Sequence, residues 1–506
     1  MPRHIVTLLF TLLPAVASAQ VTALAPAGPP MAGNPEFQPR IVKLSLSPAA
    51  EPMPALKYEL LPPLSQRTPG NAAPYYYRAV LRIGERQQEL DKQYLENEEA
   101  WTTGPLDQLD KEQVGKWVQS HRLALENLKT AVNREYCDWD WRVQDLRGQE
   151  TIGFVLEEVQ QTRGLARVLQ VKARLEIAEG RLNDALDTIG QGYQLGRDVS
   201  QPPLLVNALV GVAISSMMNE RLVELIDQPG APNVYWALIG LPRPLVDFRP
   251  ALRSEMELPE KLFPFLKDAE SAERTPEEWQ KLLVTGFRDM DLLQEKPSSG
   301  SAWLDRLAIT AMMAKNYPTA KEELIKAGMD ADRVEKMPVG QVLAIQSSRV
   351  IRYSYHEIFK CLLLDYPDSA QRLRETTERL KRDGYLRPGL GQKDPLGLTG
   401  LLLPAVSNVN QASIRLARNL AAMQALEAIR MHLAANGGKL PQSLEEITIV
   451  PVPNNPSTGE PFPYELRGAE ATLIAPAVLA AQNEGRIGSE NQRDAIHYVI
   501  TAEAGK

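Results

Sequence analysis

Apolar residues recur every three to four positions over most of the chain. Tyr77, Val80, Leu81 and Ile83 form one such stripe, and Leu123, Leu125, Leu128 and Val132 form another. That spacing sets side chains on one face of an α-helix. From 150 to 199 it predicts a helix pair. Leu165, Val168, Leu169, Val171, Leu175 and Ile177 line the first helix, Glu179-Gly180-Arg181 makes the turn, and Ala185, Leu186, Ile189 and Leu195 mark the second. Further helices are predicted at 275–294, 301–327, 339–365, 368–382 and 406–435. Proline and glycine clusters such as Pro297 to Gly300 and Pro388-Gly389 punctuate them. The run Leu204 to Met218 has only Asn207, Ser215 and Ser216 as polar residues. At about 15 residues it falls short of the roughly 20 that span a bilayer. It is predicted to be a core helix, apolar on all sides, in which Gly211, Ala213 and Ser215 admit close neighbours.

The two ends break this pattern. After about 440, short apolar runs at Ile447–Val452, Phe462–Leu466, Ala471–Ile474 and Ile496–Ile500 alternate with turn clusters, the clearest being Asn454 to Pro461. They predict a small antiparallel sheet closing on the 406–435 helix. At the other end, residues 20 to 70 hold eleven prolines and are expected to be extended or irregular. Ala55 to Pro63 alternates enough to hint at a strand packed on the body. Ahead of this leader stand Pro2-Arg3-His4, the apolar run Ile5–Val16 and Ala17-Ser18-Ala19. This is the order of a secretory signal peptide, with cleavage expected between Ala19 and Gln20. The expected layout is a signal peptide at 1–19, a Pro-rich extended leader at 20–74, a helical body at 75–400, and a C-terminal long helix plus small antiparallel sheet at 401–506. The expected fold is mainly α, an irregular stack of helical hairpins with a small α+β C-terminal unit. The expected location is outside the cytoplasm: periplasmic, envelope-associated or extracellular. No stable transmembrane span is expected in the mature chain.

Three resemblances follow from particular residues. Ala173, Gly180, Leu182, Ala185 and Ile189 fall where a tetratricopeptide repeat places its packing residues, so 165–197 resembles one hairpin of that type. The first-helix Trp and Tyr of that repeat are missing, and no second clear copy is found. Residues 406–475, with Ala425 to Arg430, Gly438 to Ile447 and Pro456 to Tyr464, resemble the globular part of type II secretion pseudopilins. The N-terminal assembly helix of those proteins is not attached to this unit, so filament assembly is not implied. Taken whole, the order of segments resembles uncharacterised secreted proteins of planctomycete type, a resemblance that implies no activity.

Composition narrows the chemistry. The 506 residues carry 56 Lys and Arg against 63 Asp and Glu, a formal net charge of −7, or −8 once Arg3 leaves with the signal. This argues against a nucleic-acid binder. The chain holds no G-x-S-x-G, S-x-x-K, H-E-x-x-H, P-loop or G-x-G-x-x-G motif. His121, His356, His432 and His497 are scattered, His356-Glu357 lacks a second histidine at i+4, and neither a metal nor a cofactor is expected. Cys137 and Cys361 are the two cysteines, candidates for one disulfide in an oxidising compartment or for two buried thiols. The most suggestive segment is Cys137-Asp138-Trp139-Asp140-Trp141. Asp138 and Asp140 are candidate paired acids, and Trp139 and Trp141 candidate platforms for a sugar ring. The bland alternative is helix-end acids beside core tryptophans. Tyr75, Tyr76 and Tyr77, ahead of Arg78, form a candidate binding patch or a cap on the first helix. The expected function is a non-catalytic scaffold or protein-interaction module with a protein partner in the envelope. The alternative is a helical-toroid carbohydrate-active hydrolase using Asp138 and Asp140.

Overall fold

The computed structural model describes residues 39–84, 87–141, 149–293, 302–386, 393–399, 404–478 and 494–503. The signal segment, with Ala19 and Gln20, and the leader up to residue 38 lie outside the described residues. Among the described residues, sixteen α-helices, a four-stranded sheet and a two-stranded ladder make up a fold that is mainly α.

The N-terminal layer holds α1 (Ala73–Gly84), α2 (Gln87–Thr102), α3 (Lys111–Ser120) and α4 (Arg122–Val132). Asp110 caps α3 by accepting from the Gln113 amide at 2.9 Å, which satisfies one of the donors that a helix start leaves open. The predicted pair follows as α5 (Gln149–Ala178) and α6 (Leu182–Val199). Gly180 turns between them at φ 74°, and the Arg181 amide returns to the Glu176 carbonyl at 2.8 Å. A residue with a Cβ is strained in that left-handed conformation, which is why the turn falls on glycine.

The apolar run becomes α7 (Leu205–Ile226), packed against both α5 and α6. Each of its buried polar residues has a partner inside the body, although Asn207 Oδ1 and Asn219 Nδ2 are buried without a hydrogen bond. Asn207 donates to the Val199 carbonyl at 3.1 Å, Asn219 accepts from Tyr193 at 2.7 Å, and Arg221 donates to the Thr102 carbonyl at 2.7 Å. No helix among the described residues is long and apolar enough to cross a membrane. The expected close approach is present. A Cβ on Gly211 would stand 2.4 Å from the Gly196 carbonyl oxygen, and one on Gly196 would stand 2.8 Å from the Gly211 carbonyl oxygen.

Short helices α8 (Tyr235–Ile239), α9 (Arg249–Glu255) and α10 (Leu258–Leu262) lead to the second half of the body. There α11 (Pro276–Leu293), α12 (Ala302–Lys326), α13 (Ala331–Lys336), α14 (Val339–Leu362) and α15 (Asp368–Arg382) follow in turn. α14 is the spine of this half, packed against α11, α12 and α15. The last helix, α16 (Pro404–Ala435), lies against α7 and α8 and against the sheet.

The sheet corrects two expectations. Its strands are β1 (Arg40–Leu46), β4 (Tyr464–Arg467), β5 (Glu470–Ala475) and β6 (Ile496–Ala502), in the order β1-β6-β5-β4. β4, β5 and β6 pair antiparallel, whereas β1 pairs parallel with β6, from Arg40↔Ile496 to Leu46↔Ala502. The sheet is therefore mixed, and its edge strand comes from the segment expected to be a leader. The strand expected at 55–63 is absent. Those residues pack irregularly, with Leu60 buried and its carbonyl against Gly190 of α6. The run 447–452 is also not a strand. Alternation in the sequence alone did not separate the two: β1 buries its side chains with a period of two, whereas 55–63 does not.

The segment after β1 is tied down by a buried charge pair. Arg430 and Glu427 on α16 have side chains with no solvent exposure and meet at 2.9 Å. Arg430 also donates to the carbonyls of Ser47 at 3.2 Å, Ala231 at 2.7 Å and Pro232 at 3.3 Å. The Ala49 amide donates to the Arg430 carbonyl at 3.1 Å.

Candidate functional site

The two aromatic segments singled out in the sequence meet in space. β2 (Thr68–Asn71) pairs with β3 (Arg134–Tyr136) in a two-stranded parallel ladder. This sets Tyr75–Tyr77, at the start of α1, beside Cys137–Trp141. Asn71 locks the junction. Its side chain accepts from the Asp138 amide at 2.8 Å and donates to the Asp138 carbonyl at 2.6 Å.

Within this corner Trp139 is the central ring. It stacks on Tyr76 with centroids 5.4 Å apart and planes 16° from parallel, and it meets Tyr77 edge-on at 5.4 Å. Its indole N–H donates to the Asp198 carbonyl at 2.7 Å. Trp141 is half-buried, and its N–H donates to the Tyr77 hydroxyl at 2.9 Å. Tyr75 takes the outer position, with Arg134 over its ring at 4.4 Å and donating to its hydroxyl at 2.6 Å. A ring enclosed in this way cannot also offer its face to a sugar. Trp139 is part of the core, not a sugar platform.

Asp138 and Asp140 stand on the exposed side of the same turn. The Asp138 carboxylate accepts from the Asp140 amide at 2.9 Å, and Asp140 adopts φ 51°. Short polar side chains tolerate that left-handed backbone better than others do. The two acids therefore shape the turn that inserts Trp139. They do not converge on a cleft.

The group that sequence reasoning missed is Asp198, near the end of α6. Its carboxylate is buried and accepts from Tyr76 at 2.7 Å and from Gln194 at 2.8 Å. Burial pushes its carboxyl up to about 6, against the lowering effect of the Tyr76 and Gln194 hydrogen bonds and of Arg197 and Arg67. The same burial raises Tyr76 well above the ordinary tyrosine range. No spacing or motif marks Asp198. It is one acid in an amphipathic helix, and only the fold turns it inward.

Of the two alternatives for the cysteines, the structure has free thiols at Cys137 and Cys361 and no bridge. Burial holds the Cys137 thiol far above its usual range, with Asp198 and Asp138 adding to the effect. Cys361 on α14 donates to the Glu357 carbonyl at 3.3 Å and stands 3.5 Å from the Thr376 hydroxyl. The two lie in separate packing layers, one beside α6 and one between α14 and α15. Among the histidines, His121 is buried, with Nδ1 2.9 Å from the Trp117 carbonyl oxygen and its ring against the Trp117 indole.

Two surface depressions stand out among the described residues. One, of about 330 Å³, lies among α3, α4, α5 and α6, where Lys172 bridges Glu176 and Thr188 and three cationic side chains stand among four carboxylates. The other, of about 560 Å³, lies between the end of α14 and α15, lined by Lys360, Leu364, Arg372, Glu375, Arg379 and Arg382 over a floor of Cys361 and Thr376. Its charge is one-sided: four cationic side chains face one carboxylate.

No family model matches the chain, and no curated protein or solved structure is similar to it.

Proposed function

We propose that the chain is an exported, non-catalytic scaffold or protein-interaction module of the periplasm or cell envelope. The observation that carries this reading is the groove between α14 and α15. Arginine and exposed leucine side chains stand together there on a frame of long helices. Arginine is enriched at protein interfaces, and concave faces between helical hairpins are a common place for partners to bind. The reading takes the body as an irregular stack of hairpins, with α5 and α6 a tetratricopeptide-like unit and α16 with its sheet a pseudopilin-like packing module. Export rests on the charged start, apolar run and small-residue cleavage pattern of residues 1–19. The hydrolase alternative is not carried forward, because Trp139 is enclosed and the Asp138 carboxylate is engaged in its own turn.

The test is capture from envelope extract on tagged mature protein, with each reproducible partner then reconstituted from purified components. Glycan-array binding is run on the same preparation. A stoichiometric complex with a protein and no glycan signal is the expected result. Glycan binding that disappears on Asp138→Asn or Trp139→Phe would overturn the reading.

A further inference from the structure

The groove between α14 and α15 has a particular chemistry. Arg372 and Arg382 keep 68% and 75% of their side-chain surface exposed, and their nearest carboxylates, Glu375 and Asp383, stand 3.7 and 3.9 Å away. Those separations exceed hydrogen-bond reach, so the guanidinium forks lack a bidentate partner there. Lys360 and Arg379 share a single carboxylate, Glu357, which lies beneath them with 17% of its side chain exposed. The rim therefore carries more cationic capacity than its own acids use. Beside it stand Leu363 and Leu364, 61% and 46% exposed. Past Arg379, which donates to the Tyr353 hydroxyl at 3.1 Å, the half-exposed Tyr353 ring packs on Tyr385 at 4.7 Å.

We propose that this groove binds an acidic segment of a protein partner, seating carboxylates on Arg372, Arg382 and Lys360 and an apolar side chain on Leu364. The proposal deepens the interaction-module reading above and rests on it. Three observations select the occupant. The groove is cationic on a chain of net charge −7, so it is a local feature and not part of a general basic surface. The whole-molecule field repels a long polyphosphate, whereas a short peptide with spaced carboxylates meets mainly the local rim. Glu375 inside the groove penalises a dense anion, and the exposed leucines give an apolar contact that a free phosphate does not use. A volume of about 560 Å³ holds a few side chains rather than a whole helix.

The experiment uses the full mature chain and a fluorescein-labelled peptide of alternating Glu and Leu, with Gln in place of Glu as control. Binding is read by anisotropy at low and high salt. The acidic peptide is expected to bind about tenfold tighter than the Gln peptide, equivalent to about 1.4 kcal/mol, and to weaken with salt. Arg372→Glu with Arg382→Glu is expected to abolish that difference. Both positions are exposed, so the fold is retained, as circular dichroism will check. Arg467→Ala, exposed on β4, is expected to leave binding unchanged. Equal binding of the two peptides, or unchanged binding by the double variant, would overturn the proposal. So would an oligodeoxythymidine that binds tighter than the acidic peptide and is lost in the double variant. A reconstituted envelope partner that still binds the double variant removes the groove from the interface but leaves the module reading standing. Loss of that partner together with the peptide supports both.

Discussion

Replacing Arg430 with methionine removes one member of a buried ion pair while nearly preserving volume. In the native fold Arg430 serves four acceptors: the Glu427 carboxylate and the carbonyls of Ser47, Ala231 and Pro232. Arg430→Met leaves those carbonyls without that donor. It leaves Glu427 buried and charged, with the Val234 amide at 3.3 Å as its remaining backbone donor. Breaking one side of a buried pair costs about 3–5 kcal/mol, mostly the penalty of the abandoned charge. Each orphaned carbonyl adds about 1 kcal/mol or more where water cannot reach it. Burial already raises the Glu427 carboxyl, against the lowering effect of Arg430. Without Arg430 that rise grows, so the variant recovers part of its loss as pH falls and Glu427 takes a proton. The assay is urea unfolding followed by circular dichroism at pH 7 and pH 5, for Arg430→Met, Glu427→Gln and the two together. The double variant is expected to be more stable than Arg430→Met alone, because the uncompensated charge is gone. A loss below about 1 kcal/mol in Arg430→Met, or a double variant no better than the single, would refute the reasoning.

Four further outcomes are expected. Trp139→Phe keeps the ring stack but deletes the indole N–H bond to the Asp198 carbonyl, and should cost about 1–2 kcal/mol in unfolding; an unchanged midpoint would show that the corner is not a structural brace. The raised Asp198 carboxyl binds a proton more readily folded than unfolded, so its contribution to stability is complete below about 4 and is lost as pH rises through about 6. Wild type minus Asp198→Asn should therefore decline by up to about 3 kcal/mol between those values, and a difference that stays flat across that window contradicts the burial. Gly211→Ala drives a methyl group to 2.4 Å from the Gly196 carbonyl oxygen and should destabilise by about 1–3 kcal/mol or more, read by thermal unfolding. Thiol labelling of denatured, unreduced protein should count two free cysteines, and a count of zero would restore the bridge.

The helices were legible in the sequence because their cores are written locally. α15 spans the predicted 368–382, and α11, α12 and α16 fall within two residues of prediction at each end, since a 3.6-residue period needs no distant partner to be seen. β1 was not legible. Its residues alternate no better than 55–63, and what makes 40–46 a strand is the far end of the chain lying alongside it. The aromatic corner was half legible. Residue types picked out Tyr75–Tyr77 and Asp138–Trp141, but the β2–β3 pairing that brings them together has no local sign. The sugar-site candidate is set aside for a related reason, and the alternative of tryptophans packed in the core fits Trp139. Composition names acids and indoles, whereas burial decides whether an indole face is offered or enclosed. Asp198 and the Arg430–Glu427 pair carry no signal at all, since a charge on a helix reads as solvated until packing shows which way it points.

The parallel pairing of β1 with β6 also fixes how the fold bears mechanical load. Arg40 lies opposite Ile496, and Leu46 opposite Ala502. Tension applied at residues 40 and 502 therefore pulls from opposite ends of one ladder. The inter-strand hydrogen bonds are loaded together in shear and cannot peel apart one at a time, as an antiparallel pair pulled at one end would. A chain pulled from its two sides at these positions would load, in shear, the seam where the first described strand lies along the last.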